Sequence, residues 1–264
     1  MGRGRVGAII LAAGKGSRMK SGTKKQFMTL AGAPLLCYSL AAFEASMSQD
    51  LVLVTGEESV DFCWHDIVET YGFTRVRSVV PGGKERYHSV YEGLKELARL
   101  GYGDGDMVLI HDGARPLIEA EVIERVCQDA EDYGACVAGM PSKDTVKLAD
   151  EDGFAASTPD RSRVWMIQTP QAFSFPLIME AYGRLMGDES LQQGITDDGM
   201  VAERLMGRRV RLTEGSYRNI KVTTPEDMVI AKALMMDPSF ENALEKHLKK
   251  DGKECVEAGD KKQK

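Results

Sequence analysis

Cations that could bind phosphate follow the first apolar run of the chain. The run Val6–Leu11 has the composition of a buried strand, and it leads into Ala12-Ala13-Gly14-Lys15-Gly16. Small residues directly after the first strand of an α/β sheet let backbone N–H groups approach a phosphate or a base closely. Arg18 and the pair Lys24-Lys25 come next, within eleven residues of Gly14. A basic glycine-rich loop can be an ordinary solvated turn, but its position after the first strand favours phosphate binding.

The spacing of this loop excludes two common nucleotide-binding motifs. A dinucleotide fingerprint requires G-x-G-x-x-G, and Met19 stands where the third glycine belongs. The GxxxxGK[ST] pattern of a P-loop is also missing. The five cysteines and four histidines are scattered without metal-site spacing, which predicts reduced and mostly buried thiols. The candidate chemistry therefore depends on Arg, Lys and backbone groups, and no nucleophilic side chain stands out.

Strand and helix patterns alternate along most of the chain. This alternation predicts an α/β fold with a Rossmann-like, mostly parallel sheet, helices on both faces and right-handed crossovers. Ligands of such sheets bind at the carboxyl ends of the strands. The predicted strands are Val6–Leu11, Leu51–Val54, Arg75–Val80, Met107–Ile110, Ala135–Met140, Arg209–Leu212 and Asn219–Val222. The predicted helices are Pro34–Ala45, Asp61–Tyr71, Glu85–Ala98, Glu119–Asp132, Pro176–Met186, Asp197–Leu205 and Pro225–Met235.

The alternation breaks between residues 141 and 165. Thr145–Leu148 and Val164–Ile167 have the pattern of two strands joined by a turn near Asp152, which predicts a hairpin arm that projects from the main domain. We therefore expect one domain at residues 1–236, with the arm at about 141–165, and a charged C-terminal helix and tail at 237–264. Phe240, Leu244 and Leu248 share one face of that helix.

Composition and charge exclude two classes of partner. The net charge is −6, so no broad positive field recruits nucleic acid. No apolar run approaches the ~18 residues that a membrane span requires. Arg3 and Arg5 precede the first apolar run, but no small-residue cleavage site follows it. We therefore expect a cytoplasmic protein without a signal peptide.

Several ordered segments together resemble one enzyme family. Leu11-Ala12-Ala13-Gly14-x-Gly16-x-Arg18-Met19, followed by Lys25-Gln26-Phe27, is similar to the signature of the 2-C-methyl-D-erythritol 4-phosphate cytidylyltransferases. The resemblance extends over about Val6 to Leu234, and the whole set is far more specific than its first segment, whose outline other sugar-phosphate nucleotidyltransferases share. The further segments, in the family's order, are Gly82-Gly83-x-x-Arg86-x-x-Ser89-Val90, His111-Asp112-Gly113-Ala114-Arg115-Pro116, Asp144-Thr145-Val146-Lys147, Gln168-Thr169-Pro170-Gln171, Ile195-Thr196-Asp197-Asp198 and Asn219-Ile220-Lys221-Val222-Thr223.

The resemblance implies transfer of CMP from CTP to 2-C-methyl-D-erythritol 4-phosphate. An oxygen of the acceptor phosphate attacks the α-phosphorus of CTP in line and expels pyrophosphate. The product would be 4-diphosphocytidyl-2-C-methyl-D-erythritol, a precursor in non-mevalonate isoprenoid biosynthesis. Positioning and charge neutralisation supply most of the catalysis in such a reaction. The resemblance also implies Mg²⁺ or another divalent cation held mainly by the CTP phosphates, and a homodimer with shared active sites.

The resemblance assigns the nucleotide-binding residues. Arg18 and Lys25 would contact the CTP phosphates and stabilise the pentacoordinate α-phosphate. Lys84 stands where some relatives have Asp, which leaves only backbone contacts at that position. Asp112 would lie close to the ribose and the acceptor, and it could also orient the metal. The remaining nucleotide-binding positions are Ala12, Ala13, Gly14 and Gly16 in the first loop, Gly82, Gly83 and Ser89 for the cytosine, and Gly113 beside the ribose.

The resemblance also assigns the acceptor-binding residues. Lys221 would hold the attacking phosphate. Thr145 and Arg161 lie in or beside the arm, so in a dimer they would complete the active site of the partner subunit. Arg163 competes with Arg161 for this role. The other acceptor-binding positions are Arg115, Thr169 and Thr196.

Other functions compete with this interpretation. A ribitol- or ribulose-5-phosphate cytidylyltransferase shares much of the pattern, whereas the short chain and the spacing of Lys25-Gln26-Phe27 disfavour a hexose-1-phosphate nucleotidyltransferase. A nucleotide-sensing module that has lost catalysis is the alternative from a different class. The joint presence of Arg18, Lys25, Arg161 and Lys221 argues against it.

Overall fold

A seven-stranded sheet forms the centre of the protein. The computed structural model describes residues 4–14 and 25–250. The strands of the described residues are β1 (Val6–Ala12), β2 (Thr29–Leu30), β3 (Ala33–Pro34), β4 (Asp50–Thr55), β5 (Val76–Pro81), β6 (Met107–Asp112), β7 (Ala135–Pro141), β8 (Leu148–Ala149), β9 (Ala155–Ser157), β10 (Trp165–Ser174) and β11 (Arg211–Glu214). The central sheet has the order β11-β7-β10-β6-β1-β4-β5. Only β10 runs antiparallel to its two neighbours, β6 and β7.

Helices cover both faces of this sheet. They are α1 (Leu35–Glu44), α2 (Val60–Phe62) continued by a π-helical stretch (Cys63–Glu69), α3 (Arg86–Arg99), α4 (Ala120–Tyr133), α5 (Phe175–Gly187), α6 (Asp198–Met206), α7 (Pro225–Met235) and α8 (Ala243–Lys250). One core contains side chains of α1, α4, α7 and α8, and the other contains those of α3, α5 and α6. The alternation along β1 explains the two cores, since Ile10 enters the first and Ile9 the second. The predicted fold class, a mostly parallel sheet with helices on both faces, is confirmed.

One predicted strand is absent, and another belongs to the central sheet and not to the arm. Asn219–Val222 joins no ladder, although the Val222 N–H donates to the carbonyl oxygen of Ala114 at 2.8 Å. Val164–Ile167 does not belong to the arm, because Trp165–Ile167 pairs with β7 as the start of β10. The arm consists instead of β8 and β9, where Leu148 pairs with Ser157. Local alternation predicted an extended chain in both places, but it does not show whether such a segment pairs with another strand or with which one.

The arm exposes apolar side chains. Its strands β8 and β9 pair only with each other, and every residue of both strands is exposed. Leu148 and Phe154 are 55% and 72% exposed. A short isolated hairpin is marginally stable in water.

The described cysteines and helices agree with the expectations from composition. Cys37, Cys63, Cys127 and Cys136 are buried, and no disulfide bond joins these four described cysteines. Among residues 4–14 and 25–250, none of the helices combines the length and the apolar composition that crossing a bilayer requires.

The sheet topology brings three loops of the chain to the same side of the sheet, beyond the carboxyl ends of its strands. After β1 the chain continues through β4 to β5 on one side, and β6 then pairs with the other side of β1. The point where such a progression reverses is where α/β sheets bind ligands, outside the carboxyl ends of their strands. Here β1 ends at Ala12, β5 at Pro81 and β6 at Asp112. The loops that begin after β1 and β5 and the residue Asp112 therefore lie together at the carboxyl ends of the strands.

The C-terminal helix α8 packs against α1. Leu244 and Leu248 are 1% and 5% exposed and belong to the core on that face. The ring of His247 stacks on Phe73 with 4.9 Å between the centroids, and its Nε2 lies 3.0 Å from the carbonyl oxygen of Tyr71. This helix is therefore part of the folded domain, with a polar face outward and an apolar face inward.

We predict that Leu244→Ala lowers the free energy of unfolding by about 2–5 kcal/mol, the usual cost of truncating a buried leucine. Chemical denaturation of the full chain measures this loss. Lys249→Ala on the same helix is the matched control, because the Lys249 side chain is 79% exposed. Equal stability of the Leu244→Ala and Lys249→Ala proteins would show that α8 is not part of the core.

Candidate active site

A cleft of about 550 Å³ lies at the carboxyl ends of β1 and β6, beside the start of α3. A volume of this size is typical of ligand sites. The cleft is lined by Leu11, Ala12, Ala13, Gly14, Gln26, Gly83, Lys84, Glu85, Arg86, Ser89, Asp112, Ala114 and Lys221. Seven predicted site residues line this one cleft: Ala12, Ala13, Gly14, Gly83, Ser89, Asp112 and Lys221.

The glycines after β5 are required by close packing. A Cβ on Gly82 would lie 2.6 Å from Ser89 Oγ and 2.8 Å from the Cβ of Ala13. A Cβ on Gly83 would lie 2.3 Å from the Cβ of His88. The Gly83 N–H donates to Ser89 Oγ at 3.2 Å. The loop after β1, the loop after β5 and the first turn of α3 therefore form one rigid wall of the cleft.

Asp112 is the central charged group of this cleft. Its side chain is only 10% exposed. Lys221 Nζ lies 2.6 Å from Oδ2, and Arg86 Nε donates to Oδ1 at 3.3 Å. Burial opposes ionisation, but the positive charges of Arg86, Lys221 and Arg115 outweigh it and hold the pKa of Asp112 well below its usual range. Asp112 is therefore an ionised carboxylate at neutral pH.

Thr169 and His111 fix the backbone beneath Asp112. The Asp112 N–H donates to Thr169 Oγ1 at 3.0 Å, so the Thr169 hydroxyl is left to donate to His111 Nδ1 at 3.1 Å. His111 then carries its proton on Nε2, which lies 3.3 Å from the carbonyl oxygen of Arg115. Complete burial lowers the pKa of His111 to about 3, so its ring is neutral.

The hydroxyl of Thr169 is used within the protein. The residue is 4% exposed, and its hydroxyl both accepts and donates a hydrogen bond. In this structure Thr169 positions the backbone of Asp112 and does not line the cleft. Its contact with the acceptor stays a prediction. Its neighbours on β10 have similar roles, because Gln168 Nε2 donates to the carbonyl oxygen of Ser216 at 2.8 Å.

Arg115 lies behind the cleft wall. Its side chain donates from Nη1 to the carbonyl oxygen of Asn219 at 2.7 Å, two residues before Lys221. Asn219 Nδ2 in turn donates to the carbonyl oxygen of Thr169 at 2.8 Å. Burial lowers the pKa of Arg115, and the charge of Asp112 opposes this effect. Arg115 thus contributes positive charge to Asp112 and supports the segment that carries Lys221, but it does not line the cleft.

Gly113 is buried beneath the cleft. A Cβ there would lie 2.8 Å from Leu36 Cδ1 and 3.1 Å from the carbonyl oxygen of Leu11. The Gly113 N–H donates to that same oxygen at 2.9 Å. This close approach of β1 to the turn after β6 explains why the position needs glycine.

Three predicted acceptor-binding residues lie away from the cleft of their own chain. Thr145, Arg161 and Thr196 are exposed, and none of them lines it. Arg161 Nη1 donates to the carbonyl oxygen of Lys143 at 3.2 Å, and Thr196 Oγ1 has only a weak contact of 3.9 Å with Met200 Sδ. A single chain therefore does not bring all the predicted residues together.

The predicted phosphate-binding loop is only partly described. Gly16 and Arg18 lie outside the described residues. Lys25 begins a short 3₁₀ helix, Lys25–Phe27, whose next residue Gln26 reaches the cleft. Gln26 Nε2 donates to the carbonyl oxygens of Ala12 and Gly14, which holds this helix against the end of β1.

Sequence reasoning assigned no role to Gln26 and Arg86, although both line the cleft. Both residues lie inside the recognised motifs. For Arg86 the sequence offered one further signal, because it is an arginine in the first turn of a predicted helix, shortly after Gly82 and Gly83. Its partner Asp198 could not be found this way, because the two residues are 112 positions apart.

A larger cleft of about 790 Å³ lies elsewhere, between α1, α4 and α8. Several of its charged side chains are occupied by contacts within the protein. Glu44 accepts hydrogen bonds from the N–H groups of Thr74 and Arg75, Glu119 pairs with Arg218, and Lys246 pairs with Glu241. These contacts leave no convergent set of groups for a ligand, so the cleft around Asp112 is the candidate active site.

A mostly parallel sheet with small residues after its first strand and a charged cleft at the carboxyl ends of its strands is typical of nucleotide-binding α/β proteins. The sequence model of one family within this class, IspD: 2-C-methyl-D-erythritol 4-phosphate cytidylyltransferase, matches residues 6–237. The chain belongs to this family and is a cytidylyltransferase.

Individual relatives agree with the family match. A 2-C-methyl-D-erythritol 4-phosphate cytidylyltransferase from Lachnoclostridium phytofermentans is 46% identical over 233 residues, which covers 88% of this chain and 97% of the relative. The crystal structure of 4-diphosphocytidyl-2C-methyl-D-erythritol synthase from Anaerococcus prevotii is 32% identical with a TM-score of 0.75, and the match covers 88% of this chain and 96% of that one. The Thermus thermophilus enzyme is 26% identical with a TM-score of 0.66, covering 86% and 96% of the two chains.

Proposed function

We propose that this chain transfers CMP from CTP to 2-C-methyl-D-erythritol 4-phosphate, releasing pyrophosphate and forming 4-diphosphocytidyl-2-C-methyl-D-erythritol. One observation supports this most directly. A rigid wall built from Gly82, Gly83 and Ser89 faces the same cleft as the ion pair of Asp112 and Lys221. The cleft thus has a place to read a base at one side and a cation for a phosphate at the other.

The glycine wall reads the cytosine. The backbone around Gly83 has a fixed position, because the Gly83 N–H donates to Ser89 Oγ, the Ser89 hydroxyl donates to the carbonyl oxygen of Glu85 at 3.3 Å, and a side chain on either glycine would clash. Cytosine and uracil present opposite donors and acceptors at one position of the ring. A fixed backbone separates them because the wrong base leaves a buried polar group unsatisfied. Lys84 contributes its backbone at this site.

The reaction requires no nucleophile from the protein. An oxygen of the acceptor phosphate forms the new bond to the α-phosphorus of CTP, and the bond to the bridging oxygen breaks as pyrophosphate leaves. Lys221 holds the attacking phosphate, and Asp112 holds Lys221 at 2.6 Å before substrate arrives. Arg18 and Lys25 neutralise the charge that develops on the α-phosphate, which is where catalysis of phosphoryl transfer concentrates.

A divalent cation such as Mg²⁺ fits this cleft through Asp112. Hard cations prefer carboxylate oxygens, and Asp112 is an ionised carboxylate in the cleft. Among the described residues, no group of three or more acidic, His or Cys side chains could hold a metal. The triphosphate therefore supplies most of the ligands. When bound, the cation neutralises charge on the phosphates.

The acceptor assay tests the proposed reaction. Purified protein with CTP and Mg²⁺ is given either 2-C-methyl-D-erythritol 4-phosphate or ribitol 5-phosphate, and pyrophosphate release is measured. We expect release with the methylerythritol phosphate at least about tenfold faster than with ribitol phosphate, a difference of about 1.4 kcal/mol in the barrier. Faster release with ribitol phosphate would reassign the acceptor, and release with neither would indicate a nucleotide-binding module without catalysis.

We further propose that the protein is a homodimer in which each arm completes the partner's active site. Arg161 and Thr145 belong to the arm region and do not line the cleft of their own chain. The hairpin exposes Leu148 and Phe154, and it lacks a core of its own. Two-fold pairing would bury these side chains and would place Arg161 against the acceptor phosphate of the partner.

Mixing two inactive variants tests whether the sites are shared. Arg161→Ala and Lys221→Met subunits should each be nearly inactive alone. If Arg161 acts on the partner's site, a mixed dimer has one site with both lesions and one intact site. Activity at equal mixing should then recover to about a quarter of wild type, because about half of the dimers are mixed.

The control mixes Lys221→Met with Lys25→Ala, two lesions proposed to lie in the site of their own subunit. This mixture should recover no activity, because every site carries one lesion. Size-exclusion chromatography establishes the dimer and a tagged subunit establishes exchange. No recovery with Arg161→Ala despite exchange, or a monomer in solution, would contradict the shared site.

A further inference from the structure

An ion pair with a fully buried carboxylate joins α3, at the wall of the cleft, to α6. Asp198 is fully buried, and both of its carboxylate oxygens accept hydrogen bonds from Arg86, from Nη1 and Nη2 at 2.8 Å each. The Tyr182 hydroxyl donates to Asp198 Oδ1 at 2.5 Å. This bidentate geometry fixes the plane of the guanidinium group.

The main chain around Asp198 is held just as firmly. Gln171 Oε1 accepts from the N–H groups of Asp198 and Gly199 at 3.0 and 2.9 Å. Gln171 Nε2 donates to Asp197 Oδ2 at 3.0 Å, while Asp197 Oδ1 caps the start of α6 by accepting from the Met200 N–H. The carboxylate of Asp198 is therefore a fixed point that does not depend on flexible side chains.

Stability alone does not explain this arrangement. Burying two charges costs desolvation free energy, and well-packed apolar residues are often as stabilising as a buried ion pair. Burial disfavours the charged form of Arg86, and the charges of Asp198 and Asp112 overcome this and raise its pKa. The remaining donor of the group, Nε, is directed at Asp112 Oδ1 at 3.3 Å. Arg86 thus connects a fixed carboxylate to the one that faces the cleft.

We propose that Arg86, anchored by Asp198, is a positioning residue that sets the orientation of Asp112 and thereby places Lys221 for the attacking phosphate. The inference rests on the proposed function. Each oxygen of Asp112 contacts a different cation, Oδ1 with Arg86 and Oδ2 with Lys221. Without Arg86 the carboxylate can rotate about its terminal bond, and the ammonium group moves with it.

The chemistry of arginine explains why lysine would not suffice. The guanidinium group presents two parallel N–H groups to Asp198 and a third, at a fixed angle, to Asp112. A lysine ammonium group could reach one carboxylate as a point charge, but it has no rigid fork to relate the two. The geometry of the Arg86 side chain is therefore required in addition to its charge.

The test compares Arg86→Gln, Arg86→Lys, Asp198→Asn and the double variant Arg86→Gln/Asp198→Asn, with Arg99→Gln as control. Arg99 lies at the other end of α3 in an exposed pair with Glu96. The assay measures kcat and the KM for 2-C-methyl-D-erythritol 4-phosphate, and calorimetry measures the Kd for CTP. Thermal unfolding reports the folded fraction. The double variant leaves no buried charge unpaired, so it keeps the fold if Arg86→Gln alone does not.

We expect kcat to fall by about 10²-fold in Arg86→Gln, as for a reacting group misplaced by about 1 Å. The Kd for CTP should stay within about threefold of wild type, which corresponds to a change of at most about 0.7 kcal/mol in binding free energy. The kcat of Arg86→Lys should also stay below that of wild type. Asp198→Asn should lower kcat when it is introduced into the wild-type protein. It should not lower kcat further in the Arg86→Gln protein, because its effect passes through Arg86. Arg99→Gln should match wild type.

Three results would overturn the inference. Variants that unfold at lower temperature but keep the wild-type kcat would show a purely structural role. Full activity of Arg86→Lys would show that charge suffices, and additive losses in the double variant would show that Asp198 acts independently of Arg86. A wild-type protein without activity would overturn the proposed function, and this inference with it, whereas an active wild type and an equally active Arg86→Gln would overturn the inference alone.

Discussion

The buried negative charge of Asp112 is the constraint on which the rest of the site depends. A carboxylate this far from solvent stays ionised only if nearby cations offset the cost of its desolvation. These cations come from three separate parts of the chain, Arg86 at the start of α3, Arg115 in the turn after β6 and Lys221 before α7. The charge balance of the site therefore exists only when all three parts are folded around the sheet, which couples the active site to the completed fold.

The antiparallel strand β10 supports this arrangement from behind. Its Gln168 holds the loop at Ser216, its Thr169 holds the backbone of Asp112, and its Gln171 holds the start of α6. One four-residue stretch of strand thus positions three separate segments around the cleft. Because these groups are hydrogen-bonded to one another and mostly buried, substrates meet a preorganised site, which is how positioning lowers a phosphoryl-transfer barrier.

The sequence alone predicted the features that depend on local pattern. Alternating apolar runs predicted the mostly parallel sheet, and the ordered motifs predicted the enzyme family and the loops around the cleft. Features that depend on distant contacts were missed. The strand start at Trp165 was assigned to the arm because its pairing with β7 leaves no local signal, and the hydrogen bond between the Thr169 hydroxyl and the Asp112 backbone joins residues 57 positions apart. The partners Arg86 and Asp198 are too far apart in sequence for any periodicity to connect them.

The most direct measurement of the central claim is the turnover of an Asp112→Asn protein, which keeps the shape of the side chain and removes its charge. Asp50→Asn is the matched control, because Asp50 also pairs with an arginine, Arg77, and accepts from the Tyr102 hydroxyl, but it lies at the start of β4 and not at the cleft. The account predicts a folded Asp112→Asn protein whose turnover of CTP with 2-C-methyl-D-erythritol 4-phosphate is lower by about 10²-fold or more, the usual effect of losing one preorganised charged or polar group, while Asp50→Asn keeps its activity. Turnover of Asp112→Asn within about threefold of wild type would mean a barrier change below about 0.7 kcal/mol, and it would contradict the claim that this buried charge organises the site.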